Sequence, residues 1–124
     1  MLKDKRIDWD TYFMMLAKTA SLRSTCYRSR KIGCVIVRDH QVLSTGYNGS
    51  PSGYPNCNET FCNVKKMENH NISSKYDFCY ASHAEANAVS LAAKNGISLN
   101  DSIIYTTLSP CLTCAKTLIV AGVK

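Results

Sequence analysis

Residues 32–46, IGCVIVRDHQVLSTG, decide the fold. Residues 32–37 (IGCVIV) form a short β-branched run that reads as a strand. Asp39 and His40 punctuate it, and residues 41–46 (QVLSTG) read as a second strand. The two strands are expected to pair as a hairpin. Upstream, residues 8–22 predict an amphipathic helix, with Trp9, Phe13, Leu16, Ala17 and Ala20 recurring at spacings of three and four. Downstream, residues 47–77 are rich in Asn, Gly, Ser and Pro and predict a long irregular segment. Long loops inside compact domains are usually functional or disordered. Residues 83–94 predict a helix closed by Asn95 and Gly96. Residues 102–107 (SIIYTT) predict a third strand, and residues 110–120 a third helix, with Ser109 as N-cap and Pro110 in the first helical position.

The order α-β-β-loop-α-β-α predicts an α/β fold: a mixed central sheet with helices on both faces, in three α-β-α layers. The whole chain, residues 1–124, is expected to be one domain. Near its end, Gly122 reads as a helix C-cap and Val123 as the start of another strand, so a fragment or a shortened C-terminus is expected.

Composition narrows the class. The chain is 45% hydrophobic and 19% charged, with six Gly and three Pro, which excludes disordered, collagen-like and low-complexity classes. No apolar run approaches the roughly 20 residues of a membrane span. The opening MLKDKRIDWD has no apolar core of the secretory kind, so a cytoplasmic location is expected. Fifteen Lys and Arg against nine Asp and Glu give a net charge of +6, which suits an anionic partner and equally suits solubility alone. Seven cysteines are an odd count without a secretory signal, which favours metal binding or catalysis over a disulfide scaffold.

The chemistry concentrates in His83-Ala84-Glu85 and Pro110-Cys111-Leu112-Thr113-Cys114. Cys111 and Cys114 are three apart at a helix start, so both thiols share one side. One imidazole and two thiolates make a zinc donor set, and three protein ligands leave a fourth position for water, as in catalytic sites. Both groups fall at helix N-termini, where the dipole is expected to favour thiolate. Glu85 lies close enough to act on that water without ligating the metal. Each part also has a plainer reading. Ser82-x-x-Glu85 fits a helix capping box, Cys111-x-x-Cys114 fits a redox pair, and a lone His83 fits a hydrogen-bonded core residue. The three together are far more specific to a zinc hydrolytic site.

H-x-E…P-C-x-x-C is the known signature of zinc deaminases. At SHAEANAV and TLSPCLTCAK the sequence resembles the cytidine and deoxycytidylate deaminase superfamily. Through RKIGCVIV…STGYNGSPSGYPNC, and GYNGSPSG above all, it resembles the deoxycytidylate (dCMP) deaminase branch, over residues 21–124. The resemblance implies a cytidine deaminase-like fold and hydrolysis of dCMP to dUMP and ammonia, a supply step for thymidylate synthesis. It implies zinc on His83, Cys111 and Cys114 and a proton shuttle at Glu85. It further implies Asn48 on the deoxyribose hydroxyl and the Ala84 amide on the pyrimidine carbonyl oxygen. The loop of Gly46, Tyr47, Gly49, Ser50 and Pro51 would line the nucleotide site and, in regulated members, a dCTP effector site with magnesium; dTTP would be the opposing effector. Gly46, Gly49 and Gly53 equally suit any tight turn.

Phosphate needs cationic partners, for which Arg28, Arg30, Lys31 and Lys94 are candidates that sequence does not rank. Some relatives carry a second, structural zinc. Here a set drawn from Cys26, Cys57, Cys62, His70 and Cys79 could hold it and order an insertion at residues 54–79. Five donors for four places leave the ligands unassigned, and free thiols are the alternative. The resemblance implies a homo-oligomer, often a hexamer. Alternatives are a deaminase of the same fold acting on a nucleoside, a free base or tRNA, and a non-enzymatic zinc module. Nucleic acid is not the expected partner, because no aromatic-interleaved basic stripe is present. A purely structural zinc site has no use for Glu85.

Overall fold

The computed structural model describes residues 5–25, 30–51, 53–54 and 82–124. Strand β1 (Gly33–Arg38) turns through Asp39 and His40 into β2 (Gln41–Tyr47). Both turn residues have positive φ, 53° and 60°, the geometry of a two-residue type I′ hairpin. Asp and His tolerate that region better than most side chains, which is why the turn forms without glycine. β1 pairs antiparallel with β2, in register from Gly33↔Tyr47 to Arg38↔Gln41, with an irregularity between Ile36 and Val37. On its other side β1 pairs antiparallel with β3 (Ile103–Thr106), from Cys34↔Thr106 to Val37↔Ile103. The sheet order is β2-β1-β3, with the most apolar strand in the centre. Among the described residues the sheet is antiparallel throughout rather than mixed, because each neighbour of β1 runs against it. The parallel pairing is confined to an isolated bridge between Ser102 and Val123, outside the strands, where Lys124 N–H donates to the Ser102 carbonyl at 2.8 Å.

Side-chain alternation along β1 builds two cores, one on each face of the sheet. Val35 and Val37 point to helix α1 (Trp9–Ser21), where they meet buried Phe13 and Ala17. Cys34 and Ile36 point the other way, to α2 (Ala84–Lys94) and α3 (Leu112–Val120), where Ala84, Ala88, Ala92 and Leu118 close the second core. The three layers are therefore α1, the sheet, and the α2/α3 pair. Trp9, expected on the apolar face of α1, is instead 51% exposed. It stacks on the His40 ring with centroids 4.2 Å apart and planes within 6°.

Helices α2 and α3 both end in a Schellman turn. Ile97 N–H reaches the Ala92 carbonyl at 2.9 Å and Val123 N–H reaches that of Leu118 at 3.0 Å, around Gly96 and Gly122 at φ 68° and 99°. Gly122 thus caps α3 and passes the chain to the bridge at Val123. One boundary differs from expectation. Helix α3 begins at Leu112 with Cys111 as N-cap, so Pro110 precedes the helix and Ser109 does not cap it. The Cys111 sulfur accepts the Cys114 N–H at 3.5 Å, taking the place a serine hydroxyl would have filled. Among the described residues, no helix is long and apolar enough to cross a membrane.

Candidate active site

Two helix starts and one strand end converge on a single point. His83 is the N-cap residue of α2, with extended backbone and no side-chain capping bond, so its imidazole is available for other work. Its Nδ1 lies 3.6 Å from the Cys111 Sγ and 3.4 Å from the Cys114 Sγ. The three donor atoms all lie within 4.8 Å of one another, the only such cluster of His, Cys, Asp and Glu among the described residues. Zinc–sulfur and zinc–nitrogen bonds of about 2.3 and 2.05 Å at a tetrahedral angle place S and N about 3.5 Å apart. The separations here fit that ion. His83 and Cys111 are exposed and Cys114 is buried, so an ion held among them would have one side open to solvent.

Glu85 stands in the first turn of α2, 5% exposed. The capping box offered as its plainer reading does not form. The N-cap is His83 rather than Ser82, and Ser82 uses its backbone to bridge Gly49. Instead the Glu85 Oε1 faces the Thr106 hydroxyl at 3.4 Å, while that hydroxyl donates to the Leu108 carbonyl at 2.9 Å. Burial pushes the Cys114 thiol up to about 12, reinforced by its hydrogen bond to Cys111 and by the Glu85 carboxylate. This reverses the expected lowering by the helix dipole, because loss of water and nearby negative groups outweigh a partial charge at the helix end. Cys34, beneath the site on β1, is also pushed up to about 12, by burial first and the Glu85 charge second.

The candidate nucleotide loop lies along the same helix start. A Cβ on Gly46 would fall 2.1 Å from the Ala84 carbonyl oxygen and 2.8 Å from the Ala88 nitrogen, so only glycine permits this approach of β2 to α2. Gly49 and Ser82 exchange both backbone hydrogen bonds, at 3.1 and 2.8 Å. Asn48 is buried. Its Oδ1 accepts from Ile32 N–H and its Nδ2 donates to the Arg30 carbonyl, both at 2.9 Å. The N–H of Ala84 is among the first four of α2, which have no partner inside the helix. Ser50 N–H donates to the Thr25 hydroxyl at 3.3 Å. Of the phosphate candidates, Arg30 and Lys31 lie within the segment 30–32 that Asn48 clamps, and Lys94 sits in the last turn of α2, at the opposite end from His83. Arg28 and the second-zinc candidates Cys26, Cys57, Cys62, His70 and Cys79 lie outside the described residues.

The match to known proteins agrees with this geometry. Residues 7–124 match the family described as the cytidine and deoxycytidylate deaminase zinc-binding region. The chain belongs to that family. It is 40% identical over 119 residues to the deoxycytidylate deaminase of Schizosaccharomyces pombe, covering 96% of this chain and 36% of that protein. It is 36% identical to the deoxycytidylate deaminase of a Mycobacterium phage, covering 96% of this chain and 92% of the phage protein. The chain therefore spans about a third of its yeast relatives and most of its phage relative. The dCMP deaminase of cyanophage S-TIM5, solved in complex with dCMP and dUMP, superimposes with a TM-score of 0.74. It is 30% identical, covering 98% of this chain and 80% of that one. The family's zinc-binding region includes His83, Cys111 and Cys114, the cluster built above.

Two contributors to the site were not singled out from the sequence. Asn87 lies four residues after His83, on the same face of α2, and that spacing was available to find it. Thr106 reaches Glu85 only through the pairing of β3 with β1, and no local pattern announces it.

Proposed function

We propose that this chain hydrolyses dCMP to dUMP and ammonia at His83, Cys111, Cys114 and Glu85. The observation that carries the reading is a three-donor zinc cluster, open on one side, with a buried carboxylate beside it that makes no side-chain cap of its helix. Support for dCMP comes from two phage relatives named for that activity, of which this chain covers 92% and 80%.

His83, Cys111 and Cys114 would hold the zinc, whose bound form supplies Lewis acidity and a water nucleophile at neutral pH. Glu85 would take one proton from the attacking water and deliver it to the pyrimidine ring nitrogen as the water oxygen bonds the amine-bearing carbon. It would then carry the second proton of that water to the amine as the C–N bond breaks. The balance is one water and one dCMP consumed, one dUMP and one ammonia formed. Asn48 would meet the deoxyribose hydroxyl, and the Ala84 N–H would hold the pyrimidine carbonyl oxygen.

The same reading extends to assembly and regulation. Leu112, Ile119 and Val120 on α3 are 72, 70 and 88% exposed, an apolar surface that suits a homo-oligomer, with a hexamer as the family's implied form. The loop of Gly46, Tyr47, Gly49, Ser50 and Pro51 is the proposed place of a dCTP or dTTP effector. A second zinc would draw its ligands from Cys26, Cys57, Cys62, His70 and Cys79.

The test of the substrate is the ratio of kcat/KM for dCMP to that for deoxycytidine, with a tRNA anticodon stem as third substrate. The expected preference for dCMP is at least about 100-fold, from charge-assisted phosphate contacts. Equal values would move the assignment to a nucleoside, and turnover of the tRNA stem alone would move it to nucleic acid.

A further inference from the structure

The side-chain amide of Asn87 joins the two halves of the site. It is held by the helix, its own N–H donating to the His83 carbonyl at 2.9 Å. Its Nδ2 donates to the Tyr47 carbonyl at 2.7 Å and approaches the Ser82 carbonyl at 3.4 Å. These two carbonyls have particular positions. The Tyr47 carbonyl belongs to the peptide unit that leads into Asn48, and the Ser82 carbonyl to the unit that leads into His83. One primary amide, with two hydrogens, thus orients the peptide before the candidate sugar ligand and the peptide before the metal ligand.

The surroundings leave this tie little freedom. The Gly49–Ser82 exchange fixes the same two segments two residues further on. The contact of Gly46 with the Ala84 carbonyl fixes them one residue before. The buried Ser44 hydroxyl donates to the Ala88 carbonyl at 2.6 Å, anchoring β2 to the next turn of α2. Asn87 is the one side chain in this set that reaches both segments.

We propose that Asn87 is a positioning residue for nucleotide binding: its amide straps the Tyr47–Gly49 turn to the start of α2 and so sets the distance from the nucleotide loop to His83 and Glu85. The kinetic meaning of this strap rests on the dCMP reading given above; the strap itself does not. Asn87→Asp keeps the shape but turns a carboxylate oxygen toward the Tyr47 carbonyl, and Asn87→Ala removes the group.

The experiment compares both variants with the wild-type protein, each loaded with zinc. It measures amide hydrogen exchange over residues 46–51, KM and kcat for dCMP, and zinc per chain. Exchange over 46–51 is expected to rise about fivefold in both variants, the worth of one ordinary hydrogen bond. KM should rise about tenfold or more, with kcat changed by less than about threefold and zinc content unchanged. Asn87→Asp should be the worse of the two. Unchanged exchange over 46–51 in both variants would overturn the strap. Raised exchange with an unchanged KM and a lowered melting temperature would make Asn87 merely structural and overturn the positioning role. If the wild-type protein leaves dCMP untouched, the substrate reading fails, and the exchange data still decide the strap.

Discussion

Cys114 is the one buried member of the zinc cluster, and its proton must leave when the metal enters. With that thiol pushed up to about 12, it is protonated in the metal-free protein throughout the neutral range. Zinc uptake should therefore tighten with rising pH, by about tenfold per pH unit for that proton alone between pH 7 and 9. Competition with a zinc indicator across that range measures the slope, and a flat profile would contradict the protonated thiol. Glu85 permits a sharper expectation. Glu85→Ala should retain zinc, because all three donors remain, and should lose about 100- to 10,000-fold in kcat for dCMP. Elemental analysis and a single turnover assay read the two halves separately. A variant that turns over normally would remove Glu85 from the chemistry. The donor residues were legible in the sequence because their spacing is local: Cys111 and Cys114 share a helix turn, and His83 opens another. Thr106 was not, because its approach to Glu85 depends on strand register. The high thiol value of Cys114 was also hidden, since burial is a tertiary property.

At the level of elements, the site is a meeting of two helix starts held by β1 and β2. Alternation along β1 sends Cys34 and Ile36 toward α2 and α3 and sends Val35 and Val37 toward α1. Strong β-branching made that strand readable, and the hairpin followed from the punctuation at Asp39 and His40. The start of α3 was misplaced because Ser109 and Pro110 are ordinary capping signals, whereas a cysteine sulfur is not. The close approach of β2 to α2 was invisible for another reason: a glycine in a loop-like sequence suits a turn as well as a contact. That contact can be tested. Gly46→Ala would drive a methyl group into the Ala84 carbonyl, so β2 or α2 must shift. A loss of about 1–3 kcal/mol in unfolding free energy is expected, read from denaturant titration of the zinc-loaded protein. Activity should fall further than zinc content, because the loop moves relative to the ligands. An unchanged midpoint would show that the helix and strand are not locked together here.

For the whole molecule, the three layers divide the work. Helix α1 closes the back of the sheet, with its exposed Trp9 stacked on the hairpin turn, far in the fold from the α2/α3 face that carries the metal. Fold class and layer order were legible because they follow from element order and burial pattern, which one chain displays. Partner surfaces were not, because an exposed apolar helix such as α3 has the same sequence pattern as a buried one. The most direct test of the central claim is zinc per chain in protein purified without added metal, with dUMP formation from dCMP followed in the same sample. At least one zinc per chain with equimolar dUMP and ammonia is the expected result, and about two would add the second site. Folded protein never exposed to chelator that holds no zinc, or that holds zinc and leaves dCMP unchanged, would contradict the account.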